Sequence, residues 1–422
     1  MNRGARLASL ALGLAAARCA LGDDASDRPM IDLAYKARAV GESHARRADS
    51  VFAPGLDLTP FGRDRGRLEG EARGRVGPLS LLATATYAGQ QGEEPTRKLL
   101  ANEAYVDFGA GGNRFTVGKK ILSGDVGYGF RPIDVLQREQ RLQVLPPTLE
   151  GVPHLAWERY TADSAWSIVL ANPGHRERAD AKHDGSLAVR ANRRAGGADL
   201  HGVARFSDRY RAEAGGAVSA VPYESLELHA SFLVQRRGER QVPLVEPATN
   251  AELLDPNRAI GTETLSMPRK ALGGLTWTLE SGWSLIAETW WDGSAPTAAD
   301  WKRLGDEARQ RTALLGAPGV PALAVAGSIA ASTQLFQAPS LSRRAALAHL
   351  GWSDPAGGRW SGALDVLRTL EDGGWSVTAS LAWESDRLRC DAGLRRFGGG
   401  PDSAFRLLPE RSIAFAGAGF AF

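Results

Sequence analysis

The sequence predicts an all-β fold: a transmembrane, antiparallel, up-and-down β-barrel of roughly 18 strands (about 16–20). Three observations predict it. Segments of about ten residues alternate apolar and polar side chains at period two along nearly the whole chain. Tight turns alternate with longer connections. The chain closes on an alternating strand with a terminal aromatic, Phe422. Past the N-terminus no run approaches the roughly 18 apolar residues that a membrane helix needs.

The N-terminal stretch reads as an export signal. Arg3 and Arg6 supply the positive start, Leu7 to Ala17 a short apolar run, and Ala20-Leu21-Gly22 a small-residue cleavage site before Asp23. The bland alternative is a buried N-terminal helix. Residues 1–22 are therefore expected to be a signal peptide, and 23–422 the barrel. Strand one is expected at about Ile31, which leaves no room for a plug domain ahead of the barrel. The net charge of +3 falls to zero once residues 1–22, with three Arg and no acid, are removed. Nothing in that balance points to nucleic acid. Of the two cysteines, Cys19 lies in the signal, so Cys390 has no partner for a disulfide.

The alternation is clearest from Arg65 to Val76. Arg65, Arg67, Glu69, Glu71, Arg73 and Arg75 take the odd positions, while Gly66, Leu68, Gly70, Ala72, Gly74 and Val76 take the even ones. In a strand this makes one face wholly charged and the other small or apolar. On a helix the charges would be smeared around the cylinder. A soluble sandwich can alternate too, but dense charge of both signs on one face suits a wet lumen with lipid outside. The same period puts Lys36 and Arg38 on the polar face of Ile31–Ala39, Arg190 on that of 186–192, and Arg211 on that of 211–220. Arg389 joins them, and these eleven residues are the candidate pore lining. Tyr87, Trp166, Trp283, Trp291, Trp360, Trp375 and Trp383 fall at segment ends, as an interfacial girdle requires; ordinary core packing is the simpler alternative.

The connections fit two unlike ends. Tight links are expected near Gly77-Pro78, Gly109–Asn113, Ala162–Ser164, Ala195–Gly197, Pro222–Ser225, Glu280–Gly282, Asp354–Gly358 and Ser385-Asp386. Longer segments fall near 45–64, 91–101, 123–149, 173–184, 238–268, 293–342 and 398–410. Links near Asp208 and Asp372 are short where an outer loop is expected. The final strand places Ala414, Ala416, Ala418, Phe420 and Phe422 on one face. Phe420 and Phe422 resemble the terminal signal read by barrel-assembly machinery, and closure leaves no backbone edge exposed to lipid.

The whole plan resembles the porin-like outer-membrane barrels, the alginate-export type included. The local part of the resemblance is Val117-Gly118-Lys119-Lys120 followed by Gly124-Asp125-Val126-Gly127-Tyr128-Gly129-Phe130-Arg131-Pro132-Ile133-Asp134-Val135. Similar barrels carry Trp before the Gly-Asp, where this chain has Ser123. The resemblance implies a bacterial outer-membrane protein with outer-membrane lipid and the assembly machinery as partners. The residues themselves imply a bent inward loop: glycines for the path, Tyr128 and Phe130 to pack on the wall, and Arg131 and Asp134 to pair or line the passage. Asp125, Tyr128, Phe130, Arg131 and Asp134 are the constriction-loop candidates. An outer cap packed for its own stability is the alternative.

Chemistry-bearing motifs are weak. Gly124–Gly129 lacks the Lys-Ser/Thr ending of a phosphate loop. The seven His are dispersed, with no metal or protease spacing, and His175 and His183 share one polar loop. His154 and Ser167 fall on neighbouring strands without further support for a hydrolase pair. No enzyme activity, metal or cofactor is expected. Residues 297–316 show helical spacing with Thr297 as cap, followed by the apolar stretch Val320–Ala331, within the longest outer loop, 293–342. This loop is a candidate lid, plug or partner grip. The functional expectation is a channel that passes small polar or anionic solutes, or exports a polymer, with a weak anion preference from the basic excess in the lining. The alternative is a non-conducting barrel that anchors or assembles partners through its outer loops. Solute, transport direction and oligomeric state do not follow from the sequence.

Overall fold

In the computed structural model, which describes residues 31–137, 143–173, 184–244 and 249–422, eighteen strands form one closed antiparallel barrel. They are β1 (Ile31–Arg46), β2 (Arg65–Val76), β3 (Leu79–Gln90), β4 (Thr96–Ala110), β5 (Asn113–Lys120), β6 (Val152–Tyr160), β7 (Ser164–Ala171), β8 (Ser186–Ala195) and β9 (Ala198–Ser207). The circle continues with β10 (Arg211–Tyr223), β11 (Leu226–Gln235), β14 (Arg269–Thr278), β15 (Trp283–Asp292), β16 (Arg344–Ser353), β17 (Trp360–Thr369), β18 (Trp375–Glu384), β19 (Leu388–Gly398) and β20 (Glu410–Ala421). Each pairs with its neighbour, and β20 closes on β1 from Lys36↔Ala421 outward. Tyr35 and Phe422 exchange both backbone hydrogen bonds at 3.0 Å and stack their rings at 5.6 Å. The seam is thus sealed to the last residue. The expected signal peptide lies outside the described residues, as do 174–183 with His175 and His183.

The two ends of the barrel differ as the turn chemistry dictates. All eight tight links join adjacent strands at the end that holds Phe422. At one of them Gly111 and Gly112 have φ of 59° and 78°, the pair of left-handed residues that a two-residue hairpin turn needs. The opposite, outer end carries the long connections. The short links at 208–210 and 370–374 also lie at that outer end, so the alternation of ends is unbroken. Two details depart from expectation. β4 begins at Thr96, which shrinks the 91–101 loop. The 236–268 connection contains its own hairpin, β12 (Arg237–Pro243) with β13 (Ile260–Ser266), apart from the barrel sheet.

Period-two side chains sort the wall. Leu68, Leu81, Leu155, Trp166, Leu228, Phe232, Leu364, Leu381 and Phe420 point outward and are exposed. An apolar band of this extent on a closed sheet is the lipid-facing pattern. Trp283 and Trp360 flank it at the turn end and Trp375 at the outer end. Inward, the outer half of the barrel is filled. Helices α1 (Ala298–Ala313) and α2 (Ala322–Ser332) of the 293–343 connection lie over the mouth. Thr297 caps α1 in a reciprocal capping box with Asp300. Trp301, Leu304, Ala308, Val325, Ile329 and Leu335 are fully buried against inward wall residues Leu272, Trp290, Leu347 and Leu367, and against Phe52 and Phe405 of two other outer loops.

Candidate functional site

The lumen is the candidate site, and the connection from β5 to β6 shapes it. Its residues 123–134 form a closed loop held by their own side chains. The Asp125 carboxylate accepts the Ile133 and Val126 amides at 2.7 Å each. Asp134 accepts from the Ser123 hydroxyl and the Gly124 amide. Arg131 donates to Gly127 O and to Ser123 Oγ, and lies 3.9 Å from Asp134. Burial raises the Asp125 carboxyl above its usual range, opposed by the amides it accepts.

The tip of this loop is clamped to the far wall. Glu288 on β15 accepts the Tyr128 amide at 2.5 Å and the Gly129 amide at 2.8 Å, and hydrogen-bonds His229 of β11 at 3.0 Å. Tyr128 lies on His349, which bonds Asp365 at 2.8 Å. Phe130 stacks on Trp290, with the Lys270 ammonium 5.9 Å from its ring. Gly127 is confined: a Cβ there would sit 1.9 Å from Phe130 O and 2.6 Å from Leu272. Ile133 and Val135 pack on Val203, Ala217 and Leu233. Further on, the returning chain meets the opposite wall. Arg67 donates to Leu145 O and Arg38 to Pro146 O, and Thr148 donates to Glu69 and Glu71. One connection therefore touches strands on both sides of the lumen.

Other candidate lining residues sort by height. On β1 and β2 four inward pairs are of opposite charge, Asp32↔Arg75, Lys36↔Glu71, Arg38↔Glu69 and Glu42↔Arg65, while Arg73 and Arg67 face Ala34 and Val40. Lys36, Arg73, Arg75 and Arg389 are exposed toward the turn end, and Arg389 bonds Asp391 and Glu384 at 3.0 Å. Arg65 donates to Pro60 O, and Arg190 to Gly124 O at the loop. Arg211 opens β10 opposite inward Ser207, with φ of 60° and an exposed position at the end of a short outer link. Sequence reading missed Glu288, His229, His349, Asp365 and Arg395. For Glu288 the signal was available as the single charged residue in 283–291. His154 and Ser167 do not form a pair: their cross-strand partners are Ala171 and Glu158, which leaves about 13 Å between them along the strands.

No family model matches this sequence, and neither does any curated protein. The fold does match solved structures from Pseudomonas aeruginosa. OccK8 (OprE) aligns at a TM-score of 0.52 and 10% identity, over 93% of this chain and 98% of that one. OpdQ aligns at 0.53 and 6% identity, over 93% and 98%. OccK1 (OpdK) aligns at 0.51 and 9% identity, over 93% and 98%. The shared class is the closed 18-stranded antiparallel barrel. These likenesses are of the OccK type and lend nothing to the alginate-export variant of the resemblance.

Proposed function

We propose that this chain is a bacterial outer-membrane channel that passes small polar or anionic solutes. The observation that carries this is the lumen: exposed charged walls at the turn end lead to an inward loop that meets both walls at mid-barrel. A solid structural barrel has no need for hydrated charge facing inward. The OpdK fold relative has a structure with vanillate, which supports a small anion rather than a polymer as the passenger. The β1–β2 pairs cancel much of the basic excess, so the anion preference is weak. In this reading residues 1–22 direct export, Phe420 and Phe422 serve assembly, and the protein is not an enzyme. Swelling of liposomes that hold the refolded protein tests it. Small sugars and monoanions are expected to enter faster than in protein-free liposomes, and equal rates would refute it.

A second reading has a specific observation behind it. The lid helices share one buried apolar core with the inner wall, so the mouth is covered. A permanently covered barrel would anchor partners through residues 293–342. Swelling that stays absent even after that loop is removed would favour it.

A further inference from the structure

We infer that the sector β14–β19 binds the phosphate groups of an anionic glycolipid in the outer leaflet of the surrounding membrane. The inference rests on the outer-membrane reading above and extends it to the outside of the wall.

The observation is a belt of outward side chains at the outer rim. Every strand of this contiguous sector contributes one: Arg269 on β14, Trp291 on β15, Arg344 on β16, Arg368 on β17, Trp375 on β18 and Arg396 on β19. Alternation fixes their direction. Arg269 is exposed beside buried Lys270, Arg344 beside buried Ala345, and Arg368 between buried Leu367 and Thr369. Arg396 is exposed between Arg395, which donates to the inward Thr378, and buried Phe397. The buried neighbours face the lumen, so the four guanidinium groups face away from it.

Register holds the belt at one height. Trp291 is opposite Arg344, and Arg368 is opposite Trp375. Ala271 is opposite Trp291, Ala346 opposite Arg368, and Val377 opposite Arg396. Every neighbour in the belt is thus level or one same-face step away, about 7 Å. Strand stagger in a tilted barrel turns such steps into a band along the membrane plane.

Among the described residues the four charges find no acidic partner. Arg344 lies over the Trp291 ring at 5.0 Å, which leaves its N–H groups free to donate. No ion pair joins Arg269, Arg344, Arg368 or Arg396 to a described carboxylate, whereas Arg205, Arg309 and Arg406 all have one. Glu371, in the link after β17, and inward Asp365 are the nearest acids in sequence, each three residues from Arg368. The arginines are densest in this sector: outward positions at the outer ends of β1, β2, β9 and β11 are Ser43, Gly66, Phe206 and Val234, while on β4 Arg97 lies outward over the Tyr87 ring.

Four bare guanidiniums at the edge of a lipid-facing band match clustered phosphates. Arginine binds phosphate with paired N–H donors, and tryptophan anchors at the interface beside it. The outer rim faces the outer leaflet, so the fitting occupant is a phosphorylated glycolipid of that leaflet. A free soluble anion would have no use for the flanking Trp residues.

The test compares wild type, the quadruple variant R269Q/R344Q/R368Q/R396Q, and a control R159Q/R193Q at the turn end. Each is refolded and titrated with detergent-dispersed diphosphoryl lipid A, its dephosphorylated form, and inorganic phosphate. We expect saturable binding of lipid A to wild type and the control. The quadruple variant should bind more than tenfold more weakly, since one surface arginine is worth about fivefold. Dephosphorylated lipid A should also bind more weakly. Equal binding by all three proteins overturns the inference, as does binding of inorganic phosphate alone at equal strength. Heat-modifiable migration on gels verifies that each variant is folded, and a single variant, R344Q, expected to lose about fivefold, replaces the quadruple one if that misfolds. Solute entry in the same preparations separates the two claims: a conducting barrel with no lipid A preference refutes the belt alone.

Discussion

Replacing Glu288 with Ala should release the inward loop without unfolding the barrel. The Glu288 side chain is completely buried and serves three partners: the Tyr128 amide, the Gly129 amide and the His229 ring. A hydrogen bond to a charged group is worth about 1.5–3 kcal/mol, and a buried donor left unsatisfied costs about 1–3 kcal/mol. The freed amides can hydrate from the lumen, so we take the lower end for each. The clamp then contributes about 3 kcal/mol to the docked loop, and its loss raises the undocked population roughly a hundredfold. Glu288→Gln keeps one acceptor oxygen and should give about half that effect in free energy. The wall itself remains, because the β14–β15–β16 backbone ladder does not pass through this side chain. In single-channel recordings the Ala variant should show larger mean current and new flicker, Gln an intermediate record, with unchanged strand content by circular dichroism. Identical records for all three proteins would refute the claim that this loop narrows the path.

Gly127→Ala forces the loop backbone away from Phe130 and Leu272, so a changed unitary conductance is expected; an unchanged one would mean the tip does not line the path. Trp301→Ala removes a fully buried ring that stacks on Phe336 and donates to Leu341 O, which should cost the lid about 3–5 kcal/mol and raise the open time of the channel. Lys36→Gln leaves Glu71 without its cross-strand base, so the reversal potential in a salt gradient should move toward cations. Burial raises the Asp125 carboxyl, so ionisation opposes the folded loop: order should be full below the ordinary Asp range and fall as pH rises through the raised value. Current noise should follow that course in wild type and lose it in Asp125→Asn.

How far the sequence could be read follows from the physics of each level. Period two is local, so the strands, their faces and the tight turns were legible in runs such as 65–76. The height of a residue in the lumen is not local. Lys36 and Glu71 cancel only because the register sets them opposite, and a count of bases and acids along the chain cannot show that. The loop 123–134 was recognisable by its glycines and aromatics. Its partner Glu288 lies about 160 residues away, and only barrel closure brings the two together. The β12–β13 hairpin was hidden because it continues β11 and β14 almost without a break, at Arg236 and at Met267-Pro268. Arg211 was assigned by parity, and the register sets it opposite inward Ser207; its height, at the outer end of β10 beside a left-handed backbone, is what parity does not carry.

The central claim is that this barrel conducts, with its path narrowed by the loop that Glu288 clamps. Single-channel recording of the refolded chain in a planar bilayer tests it most directly. Discrete steps, a reversal potential slightly on the anion side, and larger steps when the 293–342 lid is removed are the expected result. A correctly folded barrel that stays silent both with and without that lid would contradict it.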